Sequence, residues 1–168
     1  MRKMLALITG LLLSFGLVAA SAGTASAAKP APVTSTTVSP LLTLGNQLGL
    51  FTITADGGTT FDPATGAIVA EVVSNPAKSG VVVQKGSITL SKADGSSLTI
   101  KNIKYDIAKG EVTGVIDDVR VLLYHAEQTS ETSAALTVAP EGGAIMREFV
   151  NFLGLPADGA DFGTATLS

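Results

Sequence analysis

"GSITLSKADGSSLTIKNIKYDIAKGEVTGVIDDVRVLLYHA" runs from Gly86 to Ala126, and its periodicity sets the fold class. β-branched and aliphatic residues alternate with polar ones over 86–90, 97–107, 111–116 and 119–126, which reads as a series of short strands. Ala93-Asp94-Gly95-Ser96 and Lys109-Gly110 separate them, and Asp94-Gly95 marks the tip of the clearest hairpin. Within 97–107 the apolar parity changes: Leu98 and Ile100 share one frame, Ile103, Tyr105 and Ile107 the other. A single extra residue near Asn102, a β-bulge, reconciles them.

Outward from this run, "LFTIT" (50–54), "AIVAEVV" (67–73) and "GVVVQ" (80–84) have the same character. Asp56-Gly57-Gly58, Asp62-Pro63-Ala64-Thr65-Gly66 and Asn75-Pro76 punctuate them. Many short strands at this spacing predict a mainly β fold, an antiparallel β-sandwich or barrel-like hairpin array. One or two short helices pack on it. Pro40 opens a short helix in "PLLTLGNQLGL", closed by Gly49. The second follows Pro140-Glu141: Ile145, Phe149, Phe152 and Leu153 form one apolar face, with Arg147, Glu148 and Asn151 opposite, and Gly154 and Pro156 stop it. "TVSP" (37–40) and "TVAP" (137–140) precede the two helices, a faint internal echo.

The 168 residues divide into three parts. Residues 1–27 read as a secretory signal peptide: Arg2 and Lys3, an apolar run from Leu5 to Ala20, and an Ala25-Ser26-Ala27 cleavage site. Residues 28–39, rich in Pro, Thr and Ser, read as an extended tether, with an ordered strand at Val33–Val38 as the alternative. Residues 40–168 form a single β-rich domain. No second apolar run spans a bilayer. The predicted localisation is secreted or extracellular, with retention at the cell envelope as a variant.

The net charge of −3 becomes −5 once Arg2 and Lys3 are removed, and the lysines are scattered. An acidic chain without a basic stripe is not a nucleic-acid binder. The absence of cysteine excludes disulfides and thiolate metal sites. No metal and no cofactor is called for by any motif. The expected partner is an unidentified envelope or extracellular one.

Candidate chemistry centres on Tyr124 and the chain's one histidine, His125. In a regular strand Val119, Val121, Leu123 and His125 share one face, and Arg120, Leu122, Tyr124 and Ala126 the other, so the two converge on one ligand only if the strand bends. No serine sits in a nucleophile elbow to use His125. Asp117-Asp118, or Glu127 and Glu131, supply two carboxylates for a glycosidase-like site, but few aromatics stand ready to stack a sugar. Asp158-Gly159-Ala160-Asp161 lacks the spacing of a calcium loop and reads as a turn.

From about Leu41 onward the chain resembles small exported β-domain proteins of high-GC Gram-positive bacteria, mostly of unassigned function. The resemblance is carried by "GSITLSKADGSSLTI", "IKYDIAKGEVTG" and "LGLPADGADFGTATLS". More distantly it is similar to the HtaA-type haem-uptake domain, an exported β-rich module that binds haem through tyrosine with a histidine in support. Tyr124 and His125 are neighbours in one strand here, and no stretch matches that family's ligand motif, so its residues are not transferred. The resemblance implies export and β-architecture. Two functional expectations lead: a non-enzymatic binding or structural module, and a carrier of a small apolar ligand such as haem. In the second, the ligand lies between sheet and second helix near Tyr124, His125, Met146 and Phe149. A carboxylate hydrolase comes third.

Overall fold

The computed structural model describes residues 32–168 apart from Ser39, Asn75 and residues 152–155, with only the backbone of 40–42 and Ala77. The proposed signal peptide and the first residues of the proposed tether lie outside the described residues. Eleven strands and three helices follow one another as β1 (Val33–Val38), α1 (Pro40–Gln47), β2 (Thr52–Asp56), β3 (Thr59–Asp62), β4 (Ala67–Glu71), α2 (Pro76–Ser79), β5 (Val81–Val83), β6 (Ser87–Ser91), β7 (Ser97–Asp106), β8 (Glu111–Ile116), β9 (Val119–Gln128), β10 (Ser133–Val138), α3 (Pro140–Val150) and β11 (Asp161–Leu167).

All strands join one antiparallel sheet in the order β2-β6-β7-β8-β9-β10-β11-β1-β4-β3, with β5 added on β7. Its two end strands, β2 and β3, are consecutive in the chain and stand side by side across the Gly57-Gly58 turn. Further bonds draw β4 towards the β5–β6 segment: Lys85 N donates to Glu71 O (2.8 Å), Thr59 Oγ1 to Lys85 O (2.6 Å), and Val72 bridges Gln84. The result is a nearly closed barrel, as the hairpin spacing predicts.

Three bulges bend it. Between Lys101 and Lys104 of β7 the register to β8 slips by one residue, with Asn102 at φ 52. This is the bulge expected near Asn102, and it turns Leu98 and Ile100, then Ile103 and Tyr105, towards one interior. Opposite Val112 and Thr113, β9 carries an extra residue, Leu123. Opposite Leu136 and Thr137, β11 carries Phe162. The first two lie on either side of Thr113 in β8. Arg120 ties them together on the outer face, donating from Nη1 to Asn102 O (3.2 Å) and Thr113 Oγ1 (2.9 Å). Gly114, next on β8, faces inward where a Cβ would meet Leu123 Cδ1 at 2.7 Å and Ile100 Cγ2 at 2.8 Å.

The tether assignment is corrected over Val33–Val38. These residues are β1, paired with β11 on one side and β4 on the other. Thr34, Thr36 and Val38 alternate inward and are buried. Threonine is β-branched and suits a strand, and its hydroxyl is tolerated inside once bonded: Thr34 Oγ1 donates to Ala70 O (3.4 Å) and accepts from Gln84 Nε2 (2.8 Å).

Helix α3 docks where β10 ends. Beyond Tyr124, paired with Val138, the β9 edge has no strand neighbour. Ala139 N donates to Leu123 O (3.0 Å), and the Glu141 carboxylate accepts from Leu122 N (3.3 Å), so the helix start satisfies the groups the bulge exposes. Buried Gly142 allows the approach, since a Cβ there would lie 2.7 Å from Leu123 Cα and O. Met146 reaches the core formed by Phe51, Leu90, Leu98, Ile100 and Leu123. The helix is shorter than its apolar period suggests. Asn151 caps it in the left-handed conformation, φ 48, and the expected continuation at Phe152 and Leu153 lies outside the described residues. Arg147, expected to face away, pins the following loop through Pro156 O (2.8 Å) and Asp158 Oδ1 (2.6 Å).

Two stability measurements check this reading. Asn102→Gly is expected to be close to neutral, because the left-handed conformation is free for glycine, whereas Asn102→Val costs about 1–2 kcal/mol. Gly142→Ala reverses the usual sign for a helix: the roughly 1 kcal/mol of propensity gained is outweighed by the backbone clash, for a net loss of about 2 kcal/mol. Urea midpoints of the three variants against the parent decide both.

Candidate functional site

The bulges determine which side chains face the interior. On β9, Val121 and Leu123 are buried, and Ala126 beyond the bulge is buried too. The frame expected for an unbent strand is thereby corrected. The extra residue brings Tyr124 onto the same side as Leu123 and sends His125 outward, exposed, between its register partners Glu111 and Thr137. Phe162, the bulged residue of β11, points inward and stacks on Tyr124, with ring centroids 3.9 Å apart and planes 26° from parallel.

On the far side of this aromatic pair lies the central cleft, a cavity of about 70 Å³ inside the barrel. Its walls are mostly aliphatic, and five residues bring polar groups: Thr34, Thr36, Gln84, Tyr105 and Tyr124. Both tyrosines of the chain thus line one space, although they are far apart in sequence. Burial pushes the Tyr124 phenol well above its ordinary value, and burial raises Tyr105 as well. Tyr124 is half-buried, its ring packed against Phe162 and against the walls of the cleft. No charged side chain lines the central cleft.

Of the four residues singled out as ligand contacts, Tyr124 and Met146 come together. They line a second, smaller cavity of about 40 Å³ with Phe162, Ile68 and Ile88. His125 lies outside the barrel. Phe149 is half-buried at the rim, with the Lys92 ammonium 5.0 Å above its ring. The space directly between α3 and the sheet, where a ligand was expected, is about 10 Å³. The roomier volume is inside the barrel, past Tyr124. Thr34, Thr36, Gln84 and Tyr105 escaped sequence reading as site residues. The one usable signal was the parity change at Asn102, which turns Tyr105 inward.

The carboxylate candidates lie in turns, at strand ends and on the surface. Asp117 and Asp118 are the two central residues of the β8–β9 hairpin turn, at φ 47 and 64, the left-handed pair that a tight hairpin requires. Asp118 holds Lys101 at 2.9 Å, and that bonded ammonium keeps its carboxyl below the usual range. Glu127 and Glu131 are exposed. Asp158 lies in the turn before β11 and is engaged by Arg147, and Asp161 is the first residue of β11. Among the described residues no group of three or more His, Cys, Asp or Glu stands ready to hold a metal, and no helix is long and apolar enough to cross a membrane.

The same arrangement of strands and helices is found in a solved crystal structure. The chain shares its fold with the C-terminal domain of HtaA from Corynebacterium glutamicum. The two superpose with a TM-score of 0.54 over 82% of this chain and 98% of that domain, at 17% sequence identity. The distant similarity noted in the sequence therefore holds at the level of architecture. No protein-family model and no curated protein matches the chain. A likeness at this identity carries the fold alone, and the residues of the interior are read from this chain itself.

The buried phenol gives a pH signature. Its folded-state pKa lies above the ordinary value of 10.0, so above about pH 10 the unfolded chain releases a proton that the folded protein retains. Stability is unaffected by this group below that point and falls above it, by up to about 1.4 kcal/mol per pH unit. Urea unfolding between pH 8 and 11 is expected to show a shallower alkaline decline in Tyr124→Phe than in the parent. Parallel profiles would place the Tyr124 phenol in contact with water.

Proposed function

We propose that the chain is an exported, non-enzymatic binding module that works at or outside the cell envelope, and that its ligand is a small apolar molecule held inside the barrel. The observation that carries this reading is the convergence of Tyr105 and Tyr124 on a single aliphatic cleft that also holds Thr34, Thr36 and Gln84. A mixed lining of this kind, mainly apolar with a few placed polar groups, is what small-molecule sites use. Export is supported by the composition of residues 1–27. The hydrolase reading loses support because Asp117 and Asp118 serve as a hairpin turn.

The HtaA-type resemblance makes haem the first ligand to try. Against it stand the exposed position of His125 and a central cavity of about 70 Å³. Sites for drug-sized molecules run to about 300 Å³ or more. Haem would therefore require the barrel to open. Titration with haemin is expected to give no saturable Soret band. A saturable band that Tyr124→Phe abolishes would establish haem as the ligand.

Native and denatured mass spectrometry of the protein from its own culture medium test export and carriage together. The expected denatured mass begins at Ala28, with an additional small molecule in the native spectrum. A full-length mass would overturn processing after Ala27.

A further inference from the structure

The barrel interior is a series of chambers, not one pocket. The inner chamber, of about 40 Å³, is bordered by Met146 of α3. It shares Ile68, Ile88, Ile100, Tyr124 and Phe162 with the central cleft of about 70 Å³. The cleft in turn shares Thr34, Val82, Tyr105 and Ala165 with an outer chamber of about 50 Å³, whose rim includes the exposed Gln128, Glu131 and Thr132 of the β9–β10 turn. The stacked Tyr124 and Phe162 line both the inner chamber and the central cleft, and Tyr105 lines both the cleft and the outer chamber.

From these chambers we infer that the interior is a tunnel for one unbranched alkyl chain carrying an uncharged, hydroxylated head. The inference rests on the binding-module reading and names the ligand class. Three small chambers in succession suit an unbranched chain better than a planar macrocycle, and either ligand needs the interior to widen. Along β11 the lining runs from Phe162 at the inner end to Leu167 at the mouth. Five residues at strand rise span about 17 Å, the length of an extended chain of about a dozen carbons. The head would lie among Gln128, Thr132, Ser133 and Thr166, all neutral hydrogen-bonding groups. The one charge on that rim is Glu131, and no lysine or arginine lines it. A carboxylate or phosphate head is therefore repelled, while a glycerol or sugar head is accommodated. Side-chain rotation at Tyr105 and Tyr124, a common accompaniment of binding, is the movement entry requires.

Calorimetric titration of the purified protein with saturated 1-monoacylglycerols of eight to fourteen carbons, below their aggregation limits, tests the tunnel. Each added methylene is expected to tighten binding about three- to fourfold, levelling off near twelve carbons. The free fatty acid of the same length binds at least tenfold more weakly. Ala165→Phe, which blocks the junction of cleft and mouth, abolishes binding of the twelve-carbon ligand, with circular dichroism confirming the fold. Glu131→Lys, at an exposed site tolerant of change, narrows or reverses the preference against the fatty acid. A flat chain-length series, or binding undiminished in folded Ala165→Phe, would overturn the tunnel. If monoacylglycerols do not bind while the native spectrum shows another small molecule, the tunnel falls and the binding module stands. If neither is seen, both fall.

Discussion

The architecture depends on a change of frame shared by neighbouring strands. β8 keeps strict alternation, with Val112, Gly114 and Ile116 inward, while β7 and β9 each insert one residue beside Thr113. A bulge increases local twist and bends its strand. Two on either side of the same point fold the sheet around β8 without breaking the ladder between. Gly114 is required there because Leu123 and Ile100 occupy the space a side chain would need. Arg120 spans the pair on the outside. The curvature that closes the barrel and the inward turn of both tyrosines are therefore one event.

That event also explains α3. A bulged strand leaves backbone groups unpaired, and β10 stops at Val138 just where β9 needs a partner. The chain turns through Ala139 and Pro140, so the helix start delivers an N–H to Leu123 O and a carboxylate to Leu122 N. The echo between "TVSP" and "TVAP" has a structural counterpart. β1 and β10 both pair antiparallel with β11, so they run the same way, and each ends in a proline-initiated helix. Phe51, after α1, and Met146, in α3, enter the same core.

Legibility in the sequence followed how each residue signals its environment. The bulge at Asn102 was visible because polar residues flank Ile100 and Ile103, so the shift of parity stood out. The bulge at Leu123 left no trace: Val121, Leu122, Leu123 and Tyr124 are all apolar, and an insertion among them changes no pattern. β1 was read as tether because its inward residues are mostly threonine, whose burial depends on partners as distant as Gln84. β10 and β11 carry Ser, Ala and Gly among their strand-favouring residues, and pairing more than propensity makes them strands. The hairpin at Asp94-Gly95 was plain because the Asp94 carboxylate bonds locally, accepting from Ser96 N and Oγ.

The interior has no charged residue at its centre, and its polar groups are hydroxyls and one amide. Such a lining supplies hydrogen bonds of neutral character and no group that exchanges a proton near pH 7, since both phenols are pushed upward by burial. Acid–base chemistry at neutral pH requires a titratable side chain within reach of the substrate, and here the acids sit in turns and on the outer surface, with His125 beside them. In the proposed binding module, the cleft offers its ligand shape, apolar area and a few oriented polar atoms. A fold shared with the HtaA domain at 17% identity leaves those interior residues free to differ. In the proposed binding module, specificity rests on the few side chains that the bulges turn inward.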